Sequence, residues 1–237
     1  MTIDKTEEKN EQMSLFDHLI DLRKRLLRAV IAIVITTTIS FSITQYLIQF
    51  LTIPVGGFEN LQSIEITENI GVFMRVALLS GFILSFPLVF FQFWAFIKPG
   101  LKKTERRWVY FMTPFATFLF LSGASFAYFV MIPVAVPFLI NFMGIPTTPR
   151  LLNYIEFVTS LIFWIGLAFE APLLVFVLAK AGIVNSGMLI KQWRIAIVVI
   201  AIISAVITPT ADPLNMGILM LPLFALYLIS ILMAKFA

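Results

Sequence analysis

Three acidic side chains stand where an acid is costly or outnumbered, and each could do chemistry. Glu170 lies in Phe157–Ala179, a run of 23 residues with no other charge. It comes ten residues before Lys180, about 15 Å along a helix and so near the middle of a bilayer. An acid at that depth costs roughly 2.5–3.5 kcal/mol on insertion scales. Such a group handles protons, faces a cavity or finds a partner; the plainer reading is a protonated or internally bonded glutamate beside backbone freed by Pro172. Asp21 sits in SLFDHLIDLRKRLLRAV, four residues before Arg25, a spacing that favours a pair on one helix face. Glu105 is the one acid among Lys98, Lys102, Lys103, Arg106 and Arg107. Carboxylates at a membrane face accept forked hydrogen bonds from guanidinium groups; the plainer role for Glu105 is to neutralise its neighbours. Arg75 either snorkels outward or pairs with Glu68. Asp212 in TPTADP reads as a turn residue. His18 is the one histidine and suits a hydrogen bond better than a metal.

The elements that carry these residues must lie in lipid. Sixty per cent of the 237 residues are apolar and 13% are charged, against about 45–50% and 25% in soluble chains. That deficit leaves too little polar surface to face water. With no cysteine there is no disulfide framework, thiolate metal site or iron–sulfur cluster. No group of residues supplies a nucleophile with its base, a metal set or a phosphate loop, so an enzyme is not expected and no cofactor is implied. A net charge of +4 could suit nucleic acid, but the cations cluster at the ends of apolar runs, which suits membrane orientation instead.

The pattern predicts an all-α membrane protein, one polytopic domain over residues 1–237. An amphipathic helix over 14–28 has Leu15, Leu19, Leu22 and Leu26 on one face and a start resembling a capping box at Ser14 and Asp17. It reads as a membrane-surface helix or a cytoplasmic docking surface, leading into an uncleaved first span. Six spans are expected, near 29–50, 76–97, 108–132, 157–179, 195–208 and 214–234, with a proline-rich apolar connection after the third. The fifth and sixth must share the 40 residues between Arg194 and Lys235, so both are expected to be short. Pro87, Pro114, Pro172 and Pro222 inside spans predict kinks and a cupped bundle. Fifteen of the 17 basic residues fall in the N-terminal segment, Lys98–Arg107, Lys180–Arg194 and Lys235. Both termini on the cytoplasmic side put all four clusters inside. There is no clear inverted repeat, which counts against a small-solute carrier, yet a proton-coupled transporter using Glu170 stays as the alternative.

Four ordered segments carry a family resemblance: HLIDLRKRLL (His18–Leu27), FPLVFFQFWAFIKPGLKKTERR (Phe86–Arg107), FEAPLLVFVLAKAGIV (Phe169–Val184) and ITPTADPLNMGILMLPLFALYLI (Ile207–Ile229). Together they resemble TatC, the multispanning signal-receptor subunit of the twin-arginine protein translocase. The resemblance implies binding of signal peptides with a consecutive arginine pair on folded precursors. It also implies assembly with TatA-type and TatB-type single-span partners, self-association, and transport driven by proton-motive force; the absence of a transit peptide favours a bacterial plasma membrane over a thylakoid. It assigns Asp21 and Glu105 to the arginine pair, with Phe96, Lys103, Arg25 and His18 shaping that surface. Glu170 falls on the family's intramembrane acid, Asp212 on an outer-hairpin acid and Pro54 on the proline after the first span. Two positions depart from the pattern: Asp21 stands where glutamate is usual, and Met216 where a glutamine is common.

Overall fold

The computed structural model describes residues 15–97, 108–141, 144, 147–208 and 213–236. Every regular element among them is helical. Helix α1 (Leu15–Ser40) joins the expected amphipathic segment to the first span without a break. The first span does not run straight to Phe50. Three turn residues, Phe41–Ile43, separate α1 from α2 (Thr44–Thr52), and the two helices bend by 78°. No proline makes this bend. Hydroxyls accompany it: Ser42 Oγ donates to the Ile39 carbonyl (2.6 Å) and Thr44 Oγ1 to that of Ser40 (2.7 Å), sharing those carbonyls with the amides of Ser42 and Ile43, and such back-bonding favours a bend. Beyond α2, Pro54 sits in a 3-10 turn (Ile53–Val55), and Gly56 and Gly57 reverse the chain at φ +87° and +94°. Tyr128 and Tyr154 reach across to donate to the carbonyls of Phe50 and Leu51, each at 2.7 Å, and pin the end of α2.

Helix α3 (Glu68–Ile97) has 30 residues, about 45 Å, so both its ends project past a core of ~30 Å. It packs antiparallel along α1, and its other sides meet α4 and α6. Helix α4 (Trp108–Phe126) continues through a π-helical turn, Ala127–Met131, into α5 (Ile132–Ile140). The expected connection after Ile132 is therefore helix. Pro133 removes one donor from this continuous helix, and the widened π turn before it takes up the ring. Helices α6 (Leu151–Ala168) and α7 (Ala171–Lys180) form one long apolar run interrupted at Phe169–Glu170. After a turn at Gly182 (φ +74°), Asn185 caps the short α8 (Ser186–Lys191) by accepting from the Met188 amide at 2.7 Å. Helix α9 (Trp193–Ile207) has 15 residues, about 22 Å, too short for a full bilayer core. Helix α10 (Pro213–Lys235) has 23, about 34 Å. The expected shortness is thus confined to α9.

Among the described residues, two clusters form the interior. One joins α2, α3, α5, α6, α9 and α10 around Val76, Ile155, Ile165 and Leu219. The other is aromatic: Phe86 stacks on Phe120 with centroids 4.1 Å apart, Phe82 meets both edge-on, and Trp94 is fully buried.

Candidate functional site

The first site residues lie at one end of the α1–α3 pair. Thr36 Oγ1 donates to the Gly81 carbonyl (2.7 Å), and the hydroxyls of Ser40 and Ser80 are hydrogen-bonded, which fixes the register of the two helices. From the Thr36–Gly81 crossing, Asp21 lies back along α1 and Phe96 onward along α3 by equal runs of about 22 Å. The antiparallel packing therefore brings Asp21 level with Phe96. The expected Asp21–Arg25 pair is present: Nε donates to Oδ2 at 2.6 Å, and both side chains are about three-quarters covered. This pair spends one oxygen of Asp21. His18 is one turn earlier on α1, with its side chain outside the described residues. Lys103, Glu105 and Asp212 also lie outside them.

Glu170 is at a second level. It occupies the position just before α7, where the interrupted backbone turns into the new helix and Pro172 fills a first-turn position that needs no N–H donor. Its side chain is only 3% exposed. It faces the α4 backbone near Phe120, but no hydrogen bond of ordinary geometry reaches either oxygen among the described residues. Close helix contacts hold this region: a Cβ on Gly123 would come within 2.7 Å of the Phe169 ring, and one on Gly166 within 2.7 Å of Phe120. Beside the break, between α6–α7 and α9–α10, is an open cavity of about 560 Å³. Trp164, Ala168, Ala171, Leu223 and Tyr227 are among its walls. Pro54 is at the opposite end of the molecule from Asp21, in the turn after α2.

That opposite end holds charges whose partners the sequence did not reveal. Glu68 is buried, although it opens α3 beside a loop. It accepts from the amides of Ile64 (3.0 Å) and Leu152 (2.7 Å) and from Arg150 Nε (3.0 Å). It therefore caps the amino end of α6 from outside that helix. Arg150 also pairs with Glu65 at 2.8 Å, and the hydrogen bonds it donates to the carboxylates of Glu65 and then Glu68 push its guanidinium above the ordinary range. Arg75 neither pairs with Glu68 nor stands alone. Its Nη1 meets Glu156 at 2.9 Å, and it donates to Thr159 (3.1 Å) and Ser160 (3.3 Å). Glu156, one residue before the expected start of the fourth span at 157, is inside α6. The spacing Glu156–Thr159–Ser160, one helix face, was the signal that could have found this site.

With this geometry, comparison with known proteins is decisive. The family model for Sec-independent protein translocase protein (TatC) matches residues 17–222. The chain belongs to the TatC family. Among TatC relatives, that of Carboxydothermus hydrogenoformans is 36% identical over 230 residues, covering 96% of this chain and 95% of its own. That of Campylobacter jejuni is 37% identical over 226 residues, covering 92% of each. Two crystal structures of the twin-arginine translocase receptor TatC superpose with TM-scores of 0.80 and 0.83 at 32% identity, each covering 92% of this chain. This TatC-family chain is thus a membrane-embedded helical component of the twin-arginine system, a transport receptor and not an enzyme, which works with other Tat subunits. A small-solute carrier, the rival reading of Glu170, finds no support in these matches.

Proposed function

We propose that this chain is the receptor and core subunit of a bacterial twin-arginine translocase, spanning the plasma membrane six times with both termini in the cytoplasm. Asp21 and Glu105 bind the consecutive arginines of signal peptides on folded precursors, and Phe96, Lys103, Arg25 and His18 shape that surface. The observation that carries the reading is the register of α1 on α3, which sets Asp21 level with Phe96, the last turn before the segment bearing Lys103 and Glu105. A carboxylate accepts both prongs of a guanidinium fork, which lysine cannot offer. Arg25 already holds Asp21 by Oδ2, so the incoming arginine meets Asp21 with one prong at Oδ1 and keeps the other for the second acid. The apolar part of the signal then runs toward Glu170 along the cavity between α6–α7 and α9–α10, whose lining is almost wholly apolar. TatA-type and TatB-type single-span helices pack near Glu170 and the short α9, further copies of the chain join the complex, and proton-motive force drives export. Asp212 and Pro54 serve partner contacts at the outer end.

The test is site-specific crosslinking to a twin-arginine signal peptide in membranes. Asp21→Ala and Glu105→Ala should each lower the yield about tenfold or more, as loss of a hydrogen bond between charged groups requires. A signal carrying two lysines should crosslink weakly to the wild type. Undiminished crosslinking in both variants would remove the site.

A further inference from the structure

At the Glu68 end of the bundle, the Arg75–Glu156 pair stands between two open clefts. One, of about 470 Å³, is lined by Ile33, Leu78, Phe82, Phe163 and Trp164 together with Arg75, Thr159 and Ser160. The other, of about 570 Å³, is lined by Leu139, Phe157, Val206 and Trp164 together with Asn153 and Glu156. Both volumes lie in the range of built small-molecule sites. Both clefts begin at the charged pair and end on Trp164, eight residues deeper along α6, about 12 Å toward the bilayer centre.

The pair has capacity left over. A guanidinium carries five N–H donors; Glu156, Thr159 and Ser160 take one each, from Nη1, Nε and Nη2. Two donors remain, one on each terminal nitrogen. Glu156 uses Oε1 on Arg75, and no hydrogen bond among the described residues reaches its other oxygen. The Arg75 side chain is 39% exposed and that of Glu156 is 54% exposed. So unspent donors and an unspent anionic acceptor lie side by side, above two apolar clefts, at the depth of a membrane interface.

We infer that this is a binding site for one zwitterionic phospholipid with a primary ammonium in its headgroup, of the phosphatidylethanolamine class, in the leaflet nearer the start of α6. The phosphate accepts the two free N–H groups of Arg75 and the ammonium donates to the free oxygen of Glu156. One acyl chain follows each cleft down to Trp164. Charge complementarity selects this occupant. A headgroup with only negative charge meets the Glu156 carboxylate, and a trimethylated headgroup has no N–H to donate to it. A transmembrane helix has its backbone satisfied internally and brings no such pair of opposite charges.

Native mass spectrometry of the purified full chain, exchanged into equal mixtures of phosphatidylethanolamine, phosphatidylcholine and phosphatidylglycerol, tests the inference. Wild type should retain the ethanolamine lipid about fivefold over either competitor, the scale of a partly exposed ion pair. Glu156→Gln should abolish that preference and raise the phosphatidylglycerol share, because Arg75 is then unopposed. Arg75→Gln should lower retention of all three. Leu78→Trp leaves both charges in place and fills one cleft from its lipid side, where Leu78 is half-exposed, and should also lower retention of all three. No headgroup preference in wild type, or a preference that survives Glu156→Gln, overturns the inference. So does a photo-crosslinker at Leu78 that captures a protein helix instead of lipid in native membranes.

Discussion

Glu170 combines full burial with no hydrogen bond among the described residues, and stability alone does not favour that combination. An unsatisfied buried polar group costs about 1–3 kcal/mol, whereas an apolar group of like size costs nothing of the kind. Glu170→Leu should therefore raise the midpoint of thermal unfolding in detergent, by the equivalent of about 1–3 kcal/mol, and should abolish export in cells while crosslinking at Asp21 persists. A fall in the midpoint would mean that the carboxylate is bonded and structural. Glu170 was legible in the sequence because it is the lone charge of a 23-residue run. Glu68 was not. An acid beside a loop looks exposed, and its partners Arg150 and Leu152 are more than 80 positions away along the chain. Asp21 and Arg25 were legible for the opposite reason, since both partners share one helix turn. Glu105 and Lys103 lie outside the described residues, and the proposal that joins them to Asp21 is argued from the register of α1 and α3 alone.

That register depends on one close crossing. A Cβ on Gly81 would come within 2.5 Å of Thr37 Cα and 2.7 Å of its nitrogen, and backbone cannot step aside as the end of a side chain can. Gly81→Ala should push α1 off α3, at a cost of about 1–3 kcal/mol for overpacking. It should also weaken signal-peptide crosslinking, because the level of Asp21 against Phe96 depends on this contact. Gly217→Ala is the control: its Cβ meets nothing within 4 Å, and helix propensity alone predicts a gain of about 0.5–1 kcal/mol. If the two variants unfold at the same temperature, the crossing does not set the register. The sequence located most helices, because long apolar runs between basic clusters leave few alternatives. It misplaced the interruptions. The prolines at Pro133 and Pro137 suggested a connection where the chain stays helical, and the 78° bend at Phe41–Ile43 carries no proline at all. Proline marks a missing donor, but hydroxyl side chains that back-bond to the preceding turn can bend a helix as well, and their pattern is much weaker in sequence.

Across the whole molecule, the two ends of the bundle are built differently. At one end, Gln62 and the Pro149–Leu151 backbone exchange hydrogen bonds of 3.1 and 2.8 Å, and Glu68 with Arg150 locks the loop before α3 onto α6. This end is tied by backbone and buried charge. The other carries the α1 terminus, the α7–α8 turn and the end of α10, with Lys180, Lys191, Arg194 and Lys235 on or beside them. By the positive-inside rule that basic end is expected to face the cytoplasm, as the proposed function requires. Because the chain has no cysteine, single-cysteine variants report topology without background. Ile66 is 97% exposed beside the clasp, and Ile183 is 66% exposed in the α7–α8 turn. A membrane-impermeant maleimide added to intact cells should label Ile66→Cys and leave Ile183→Cys unlabelled until the membrane is broken. Labelling of Ile183→Cys from outside would put the basic end, and with it Asp21, on the side where no precursor waits. The proposed arginine site would then fail however well its geometry suits a guanidinium pair.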